Sequence, residues 1–439
     1  MSTRRSIRVA TRLTTIGAIA LVWLGLTPAA LTAGQARTIV VTTVPELQAA
    51  LTPGNAGARI VVRAGDYEVP EALTVPDRAT LVGEGVMMFD ETGLPTGFKA
   101  SGRTAIRGAA SLVGDILALG DGATLKFLAV EDAAGRTSGN PVVVVSRAAA
   151  DSVSARITEC EIVNPNPSGI IPSGPTGRAL VVMVRNPNLG QDPPPHEGST
   201  LRVTMERSIV RSPGAGFGVF AINFASDSEI GLELRRNVIG GGLSATGGVG
   251  RPDAVSGSAV SIQSSHNLYR SDSADQAPSG WSLLAGADAP SPILVSGAST
   301  SNSLQIHSKD DRIEGFATGI SAAGGRRFSP VSGPISSNTV EMRLHGTRLQ
   351  STAADLTLFG ELSFVDGVLP DDDNALHFSL RQAIGSGPRS NQYANSTSPS
   401  GAEVGTGNEL EIAGTPQGFD RSNDNVEPPP PAEFFAACQ

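Results

Sequence analysis

Three short phrases in the middle of the chain decide its fold: Val203-Thr204-Met205 followed by Ile209, Leu232-Glu233-Leu234 followed by Val238, and Val260-Ser261-Ile262 followed by Leu268. Each phrase holds two apolar residues in alternation, a few polar residues and one further aliphatic residue. Such a phrase forms a short strand and a bend, and it cannot bury its apolar face alone. Stacked copies can bury that face against one another, so the repeat predicts a solenoid.

The repeat extends over a large part of the chain. Its pairs of strand residue and post-bend aliphatic are Ile157/Ile162, Val203/Ile209, Leu232/Val238, Ile262/Leu268, Ile306/Ile313, Leu344/Leu349 and Leu358/Phe364. The first members of these pairs are 46, 29, 30, 44, 38 and 14 residues apart. Most steps fit the roughly 20–50 residue period of a solenoid turn. The last step is too short, so Leu358 is expected either on another side of the same coil or outside the repeat.

The period of the apolar residues indicates strands rather than helices. The aliphatic residues alternate at period two and not 3.6, and glycines such as Gly218, Gly241 and Gly315 recur where tight corners need a positive φ. Asn237 and Asn267 precede the post-bend aliphatic residue in adjacent repeats, so we expect their side chains to stack in a short amide ladder. The sequence therefore predicts an all-β protein made of parallel coils.

The first residues are typical of an export signal. Four arginines precede an apolar stretch at 16–26, and the small residues at 34–36 suit a cleavage site. The adjacent Arg4 and Arg5 fit twin-arginine export as well as an ordinary secretory signal, and a retained membrane anchor stays open. We therefore predict an exported protein, periplasmic or extracellular, with no integral membrane segment once the signal is cleaved.

Composition limits the partners and the disulfides. A net charge of -9 and scattered arginines disfavour nucleic acid, because phosphate binding needs clustered Lys and Arg. Cys160 and Cys438 lie far apart in the sequence, and export would permit a bridge between them. We favour a buried thiol at Cys160 and an unrelated thiol in the tail, since a disulfide-stapled framework needs more cysteines.

The domain organisation follows from composition along the chain. We predict an export signal over 1–36, one parallel β-helix domain over 37–415 and a proline-rich tail over 416–439. Segments rich in Pro, Ser, Gly or Asn predict surface-loop insertions near 164–199, 271–291 and 385–407.

A short helix is predicted at the start of this domain. Thr43 and Glu46 have the spacing of a capping box, and Pro45 falls in the first turn, where its missing N–H is harmless. Short apolar segments then follow one another, separated by turns: Ile60–Val62, Gly65–Tyr67, Leu73–Val75 and Thr80–Gly85.

Together with the later repeats, this N-terminal stretch resembles the pectin lyase-like right-handed parallel β-helix proteins. The resemblance implies a single-stranded right-handed parallel β-helix with a short N-terminal capping helix, and the handedness rests on the resemblance. Many members of that family are exported enzymes that cleave or epimerise acidic polysaccharides, and others are adhesins or phage tailspikes. Of the motifs of polygalacturonase-type members, only the Asp-Asp pair is present, at Asp310-Asp311. His345-Gly346 lacks the leading glycine of their Gly-His-Gly motif.

The weak catalytic candidates lie together inside one repeat: His307, Asp310, Asp311 and Arg312. Paired carboxylates can act as acid and base, or as acid and nucleophile, in glycoside cleavage. Adjacent strand residues face opposite sides, so Asp310 and Asp311 converge only if the chain bends between them. A solvated turn is the favoured interpretation of this segment.

The densest acidic patch supplies weak calcium candidates: Asp366, Asp371, Asp372 and Asp373. Clustered oxygen ligands in a loop bind calcium, but this spacing matches no EF-hand loop, and a solvated acidic loop is the favoured interpretation. We expect no cofactor, with Ca²⁺ as the alternative.

The leading functional hypothesis is an exported β-helix protein that binds a polysaccharide or another envelope polymer, because solenoids offer extended surfaces and no catalytic motif is intact. Two alternatives stay open. One is a polysaccharide lyase or glycoside hydrolase with its site in the coil groove, and the other is a structural adhesin or assembly protein. The sequence leaves the oligomeric state open.

Overall fold

A computed structural model describes residues 37–136, 139–166, 169–171, 174–184, 196–213, 216–250, 253–271, 279–288, 297–328, 333–363, 372–385, 391–397 and 407–414. Within these residues the regular structure is strand, apart from an α-helix at Val44–Ala50 and a 3₁₀-helix at Pro53–Asn55. The predicted export signal and the predicted tail lie outside the described residues. None of the described helices is long and apolar enough to cross a membrane.

Three long sheets contain most of the strands. The first sheet consists of Thr38–Val41, Arg59–Val62, Thr80–Val82, Ala123–Lys126, Ser152–Thr158, Thr200–Glu206, Glu229–Arg235, Ala259–Ser265, Ser303–Lys309, Thr339–His345, Ala375–Arg381 and Glu409–Ala413. The second consists of Gly65–Val69, Thr104–Gly108, Ala129–Glu131, Glu161–Val163, Ile209–Arg211, Val238–Gly240, Leu268–Arg270, Arg312–Glu314, Arg348–Gln350 and Ile384–Gly385. The third consists of Leu73–Val75, Leu117–Leu119, Val142–Val145, Leu180–Val184, Val219–Asn223, Leu243–Gly250, Ser279–Asp288, Thr318–Arg327, Ala354–Ser363 and Gln392–Thr397.

Three small sheets complete the described strands. Two are antiparallel hairpins, formed by Met87–Phe89 with Pro95–Phe98 and by Gly169–Ile171 with Gly174–Thr176. The third is parallel and contains Val255–Ser256, Ser299–Thr300 and Ile335–Ser336.

The chain passes through the three long sheets in the same order in each coil. For example, Ser303–Lys309 in the first sheet is followed by Arg312–Glu314 in the second and Thr318–Arg327 in the third. Each strand pairs in parallel with its counterpart in the next coil. Inward side chains of successive coils form one continuous hydrophobic cluster that begins at Val41 and ends at Ala383. The structure is therefore a parallel β-helix, as the repeated phrases predict.

The coil register corrects part of the predicted pairing. Four of the residues predicted to be equivalent do share one inward column: Val203, Leu232, Ile262 and Ile306. Ile157 and Leu344 belong to the neighbouring column, since Ile157 pairs with Met205. Each seven-residue strand offers three inward positions, and alternation alone does not distinguish them. Leu358 lies in the third sheet, so the short last step leads from one side of a coil to another side of the same coil.

The corner between the first and second sheets has the same backbone conformation in successive coils. Its non-glycine residues have φ between 51° and 56°: Phe127, Glu159, Arg207, Arg236, His266, Asp310 and Gln382. The next residue of each coil points inward. The N–H of Asn237 donates to Oδ1 of Asn267, and the N–H of Asn267 donates to Oδ1 of Asp311, both at 2.8 Å. The predicted ladder of Asn237 and Asn267 is confirmed, and Asp311 extends it.

A second, longer ladder lies at the corner between the third and first sheets: Ser199, Ser228, Ser258, Asn302, Asn338, Asn374 and Asn408. The backbone N–H and the Nδ2 of Asn302 both donate to Oδ1 of Asn338 at 3.0 Å. A Cβ on Gly286, which lies against Asn338, would overlap this amide. Glycine is therefore required there by close packing. These bonds satisfy buried backbone N–H groups of residues that belong to no strand.

The predicted insertions each contain a strand of the third sheet, which corrects the prediction of surface loops at these residues. The strands are Leu180–Val184, Ser279–Asp288 and Gln392–Thr397. The first two are buried on nearly every residue. Since both faces of these two strands are covered, they contain no alternation of apolar and polar residues, and the small and polar residues of Ser279–Asp288 resemble loop composition.

The N-terminal helix has the predicted cap. The Thr43 side chain accepts from the N–H of Glu46, and the Glu46 carboxylate accepts from the N–H of Thr43 at 3.2 Å. Leu47 and Ala50 are buried against the first coils. The capping helix is confirmed.

Candidate functional site

The structure separates the four predicted catalytic residues. Asp310 lies at the left-handed corner with a side chain that is 44% exposed, and it faces His266 at 3.5 Å. Asp311 is fully buried in the first ladder. The chain does bend between them, but it directs one carboxylate outward and the other into the core. His307 lies on the outer face of the first sheet, whereas Arg312 lies in the second sheet, 3.9 Å from Glu314.

Asp311 therefore has a structural environment rather than a catalytic one. Its Oδ1 accepts from the N–H and the Nδ2 of Asn267, and its Oδ2 accepts from Ser308 at 2.6 Å. Burial outweighs these bonds and raises the pKa of Asp311 to about 6. The interpretation of this segment as a solvated turn is wrong for Asp311, which takes the place of an asparagine in the ladder of Asn237 and Asn267.

The calcium candidates divide in a similar way. Asp366 and Asp371 lie outside the described residues, and the calcium prediction stays a prediction there. Asp373 is a left-handed corner residue, and the backbone carbonyl oxygen of Asp372 accepts from the N–H of Ser337 at 2.9 Å. Within the described part of the chain no three His, Cys, Asp or Glu residues are grouped as a metal would require.

Two large aromatic residues of the second and third sheets lie in the core. Tyr269 and Trp281 are fully buried and pack edge to face, with ring centroids 5.2 Å apart. They contribute to packing between the second and third sheets. The strands of the first sheet that the structure describes present no aromatic residue outward.

A different set of polar side chains is brought together on the outer face of the first sheet. One column consists of Gln305, Glu341, His377 and Glu411, which pair in register on successive strands. The adjacent column consists of Gln263, His307, Arg343 and Ser379. We call these eight residues the polar face. Strands in a sheet lie about 4.8 Å apart, so each column repeats a hydrogen-bonding group at that interval.

Hydrogen bonds and ion pairs link neighbouring side chains of the polar face. His377 Nδ1 lies 3.0 Å from Oε2 of Glu411, and the Nε2 of Gln263 lies 3.4 Å from Nδ1 of His307. Arg343 pairs with Glu341 on the same strand. A depression of about 410 Å³ lies over the last three strands and is lined by Glu341, Met342, Arg343, His377, Phe378, Ser379, Glu411 and Ala413.

The first sheet presents balanced charge outward. Its glutamates and arginines lie beside one another, as in the pairs Glu341 with Arg343, Glu233 with Arg235 and Glu229 with Arg202. A surface of alternating sign offers both donors and acceptors without a strong net field. It matches a ligand rich in hydroxyl groups better than one of uniform charge.

The sequence predicts His307 as a site residue but does not predict the other residues of the polar face. A signal was present, because Gln305, Glu341, His377 and Glu411 each lie three residues after a ladder asparagine. This spacing is recognised only when the asparagines of the second ladder are known to be equivalent. Segments of irregular length separate these asparagines in the sequence, so their equivalence is not visible there. No protein-family model matches this chain, and no curated protein matches it.

Cys160 is confirmed as a buried thiol, and Cys438 lies outside the described residues. Burial raises the pKa of the Cys160 thiol to about 12, so almost no nucleophilic thiolate forms at neutral pH. We expect iodoacetamide to leave Cys160 unmodified in the native protein and to label it in urea, as measured by peptide mass spectrometry. Rapid labelling without urea would contradict this burial.

Proposed function

We propose that the protein is exported and binds a neutral, hydroxyl-rich polysaccharide along the outer face of the first sheet. The observation that carries the proposal is the pair of in-register columns of the polar face. An extended polymer meets the same kinds of group on each coil, and its hydroxyls both donate and accept hydrogen bonds. The family resemblance supports export and carbohydrate as the ligand class.

The described strands of the first sheet have no outward aromatic residues. Affinity for the polymer would then come from many weak contacts, whose contributions add along its length. Each hydrogen bond contributes about 1 kcal/mol, so affinity grows with the number of coils that one polymer spans. Longer oligosaccharides are therefore expected to bind more tightly than short ones.

Replacing both Arg343 and His377 by alanine is expected to weaken polysaccharide binding at least about tenfold, because two contacts are lost. Binding is measured on a glycan array and then by titration with the best ligand. Arg202→Ala is the matched control, since Arg202 is exposed on the same sheet outside the polar face. Equal binding by the double variant, or no binding of the wild type to any glycan, would refute the proposal.

A second candidate is hydrolysis or lyase cleavage of a polysaccharide. Glu341 and Glu411 lie in register on either side of His377, on strands separated by about 9.6 Å. Side-chain rotation brings such carboxylates to the roughly 6.5–9.5 Å that accommodates an attacking water in inverting glycosidases.

This candidate predicts turnover that is abolished by Glu341→Gln and by Glu411→Gln. Glu409→Gln is the control, because Glu409 lies on the same strand in another column. Reducing-sugar release and absorbance of unsaturated products are measured with and without Ca²⁺. If every glycan that binds is left uncleaved, the cleavage function is refuted and only the binding function remains.

A further inference from the structure

Arg178 is a buried arginine at the corner between the second and third sheets. It is only 8% exposed, and its Nε is buried without a hydrogen-bond acceptor. The guanidinium forms no hydrogen bond with any described residue. Burial lowers the pKa of Arg178 to about 10, which leaves the side chain charged at neutral pH.

The preceding coil shows how this corner ordinarily accommodates an arginine. Arg136 is also buried, but its guanidinium pairs with Asp132 and donates to the carbonyl oxygens of Leu112 and Gly114. Buried charges are generally paired in this manner, because an unpaired one loses its hydration without compensation. Arg178 has the same burial without these partners.

The surroundings of Arg178 hold the guanidinium in place. Its Cζ lies 4.9 Å from the ring centroid of Phe220 and 5.8 Å from that of Phe217. Its backbone is fixed on both sides, since its N–H donates to Asn140 Oδ1 and its carbonyl accepts from Asn164 Nδ2. Contact with aromatic rings leaves the in-plane N–H groups of a guanidinium available for other acceptors.

Gly216 packs tightly against the same group. A Cβ at this position would lie 2.9 Å from Nη1 of Arg178 and 2.7 Å from Oγ of Ser212. The backbone therefore approaches the guanidinium where any other residue would collide with it. A guanidinium that is held in place, with its Nε buried and without an acceptor, has the chemistry of an oxyanion receptor.

We propose that Arg178 binds an oxyanion with two adjacent oxygens, such as a carboxylate or sulfate group, at the corner beside Phe217 and Phe220. The planar fork of the guanidinium matches two such oxygens. The site is separate from the polar face, which lies on the first sheet. The proposed ligand is external to the chain, and the experiment below tests whether the effect of an added oxyanion depends on Arg178.

The test compares thermal unfolding in sodium sulfate or sodium acetate with unfolding in sodium chloride at equal ionic strength. Sulfate also stabilises proteins generally, so the wild type is compared with Arg178→Met and Arg178→Lys. Lysine keeps the charge but lacks the fork. Arg202→Met is the matched exposed control.

We expect the oxyanion to raise the unfolding temperature of the wild type and of Arg202→Met by about 3 °C more than that of either Arg178 variant. Equal shifts in all four proteins would overturn the proposal, because the effect of the anion would then not depend on Arg178. The polysaccharide assay on the polar face does not involve Arg178, so either proposal can fail alone.

Discussion

Asn338→Ala is expected to lower the free energy of unfolding by about 4 kcal/mol. The alanine removes the acceptor for the N–H and the Nδ2 of Asn302, and it removes the donor to the carbonyl of Ser299. These groups are buried and have no access to water at that corner, so each loses a bond without replacement. The loss exceeds that of a typical single substitution.

The effect is expected to be local as well as large, because a solenoid is stabilised through contacts between neighbouring coils. Hydrogen exchange by mass spectrometry should show lost protection in Ser303–Lys309 and Thr339–His345, while Ala123–Lys126 stays protected. Thr339→Ala is the control, since Thr339 points outward from the adjacent position. Equal protection in Asn338→Ala and the wild type would show that the side-chain amides of the second ladder do not stabilise the contact between coils.

Asp311→Asn is expected to raise the free energy of unfolding at pH 7 by about 3 kcal/mol. The folded state shifts the pKa of this carboxyl from 3.8 to about 6, and each unit corresponds to about 1.4 kcal/mol. Asparagine is the residue found at this ladder position in the two preceding coils, Asn237 and Asn267. Its Oδ1 can accept from Asn267 as the carboxylate does, without a buried charge.

The sign of the pH dependence follows from the raised pKa. Between about pH 4 and 6 the folded protein binds one more proton than the unfolded chain, so wild-type stability falls as the pH rises through this window. The gain from Asp311→Asn is therefore small near pH 4 and largest above pH 6. Urea denaturation across this range measures it.

Asp310→Asn is the matched control for this prediction. Asp310 is the adjacent residue, it is exposed, and asparagine tolerates its left-handed conformation. We expect little change in stability from this variant. A loss of stability in Asp311→Asn at neutral pH would mean that the charge of Asp311 has a stabilising partner.

The part of the fold that could be predicted is the part with period-two alternation. The first sheet has one buried and one solvated face, so phrases such as Leu232-Glu233-Leu234 reveal it. Ser279–Asp288 in the third sheet is buried on both faces, so it carries no such pattern and its composition predicts a loop. Alternation alone cannot distinguish three equivalent inward positions, so the predicted register is wrong for Ile157, which pairs with Met205.

The candidate site was less predictable than the fold. Asp310 and Asp311 are adjacent in the sequence, yet a single left-handed residue directs their carboxylates into opposite environments. Glu341, His377 and Glu411 lie far apart in the sequence, and only the stacking of coils brings them into one column. Motif searches examine residues close in sequence, whereas a solenoid assembles its surface from residues one coil apart.

The central claim is that the coils stack in register and so create the columns of the polar face. Dipolar electron-spin resonance tests it directly, with one spin label at Arg202→Cys and a second placed in turn at Gln305→Cys, Glu341→Cys, His377→Cys and Glu411→Cys in a Cys438→Ser background. These positions share one column and lie three to six strands from Arg202. The predicted separations are about 14, 19, 24 and 29 Å, rising by about 5 Å for each coil. Distances that do not increase in this order would contradict the stacked register and, with it, the polar face.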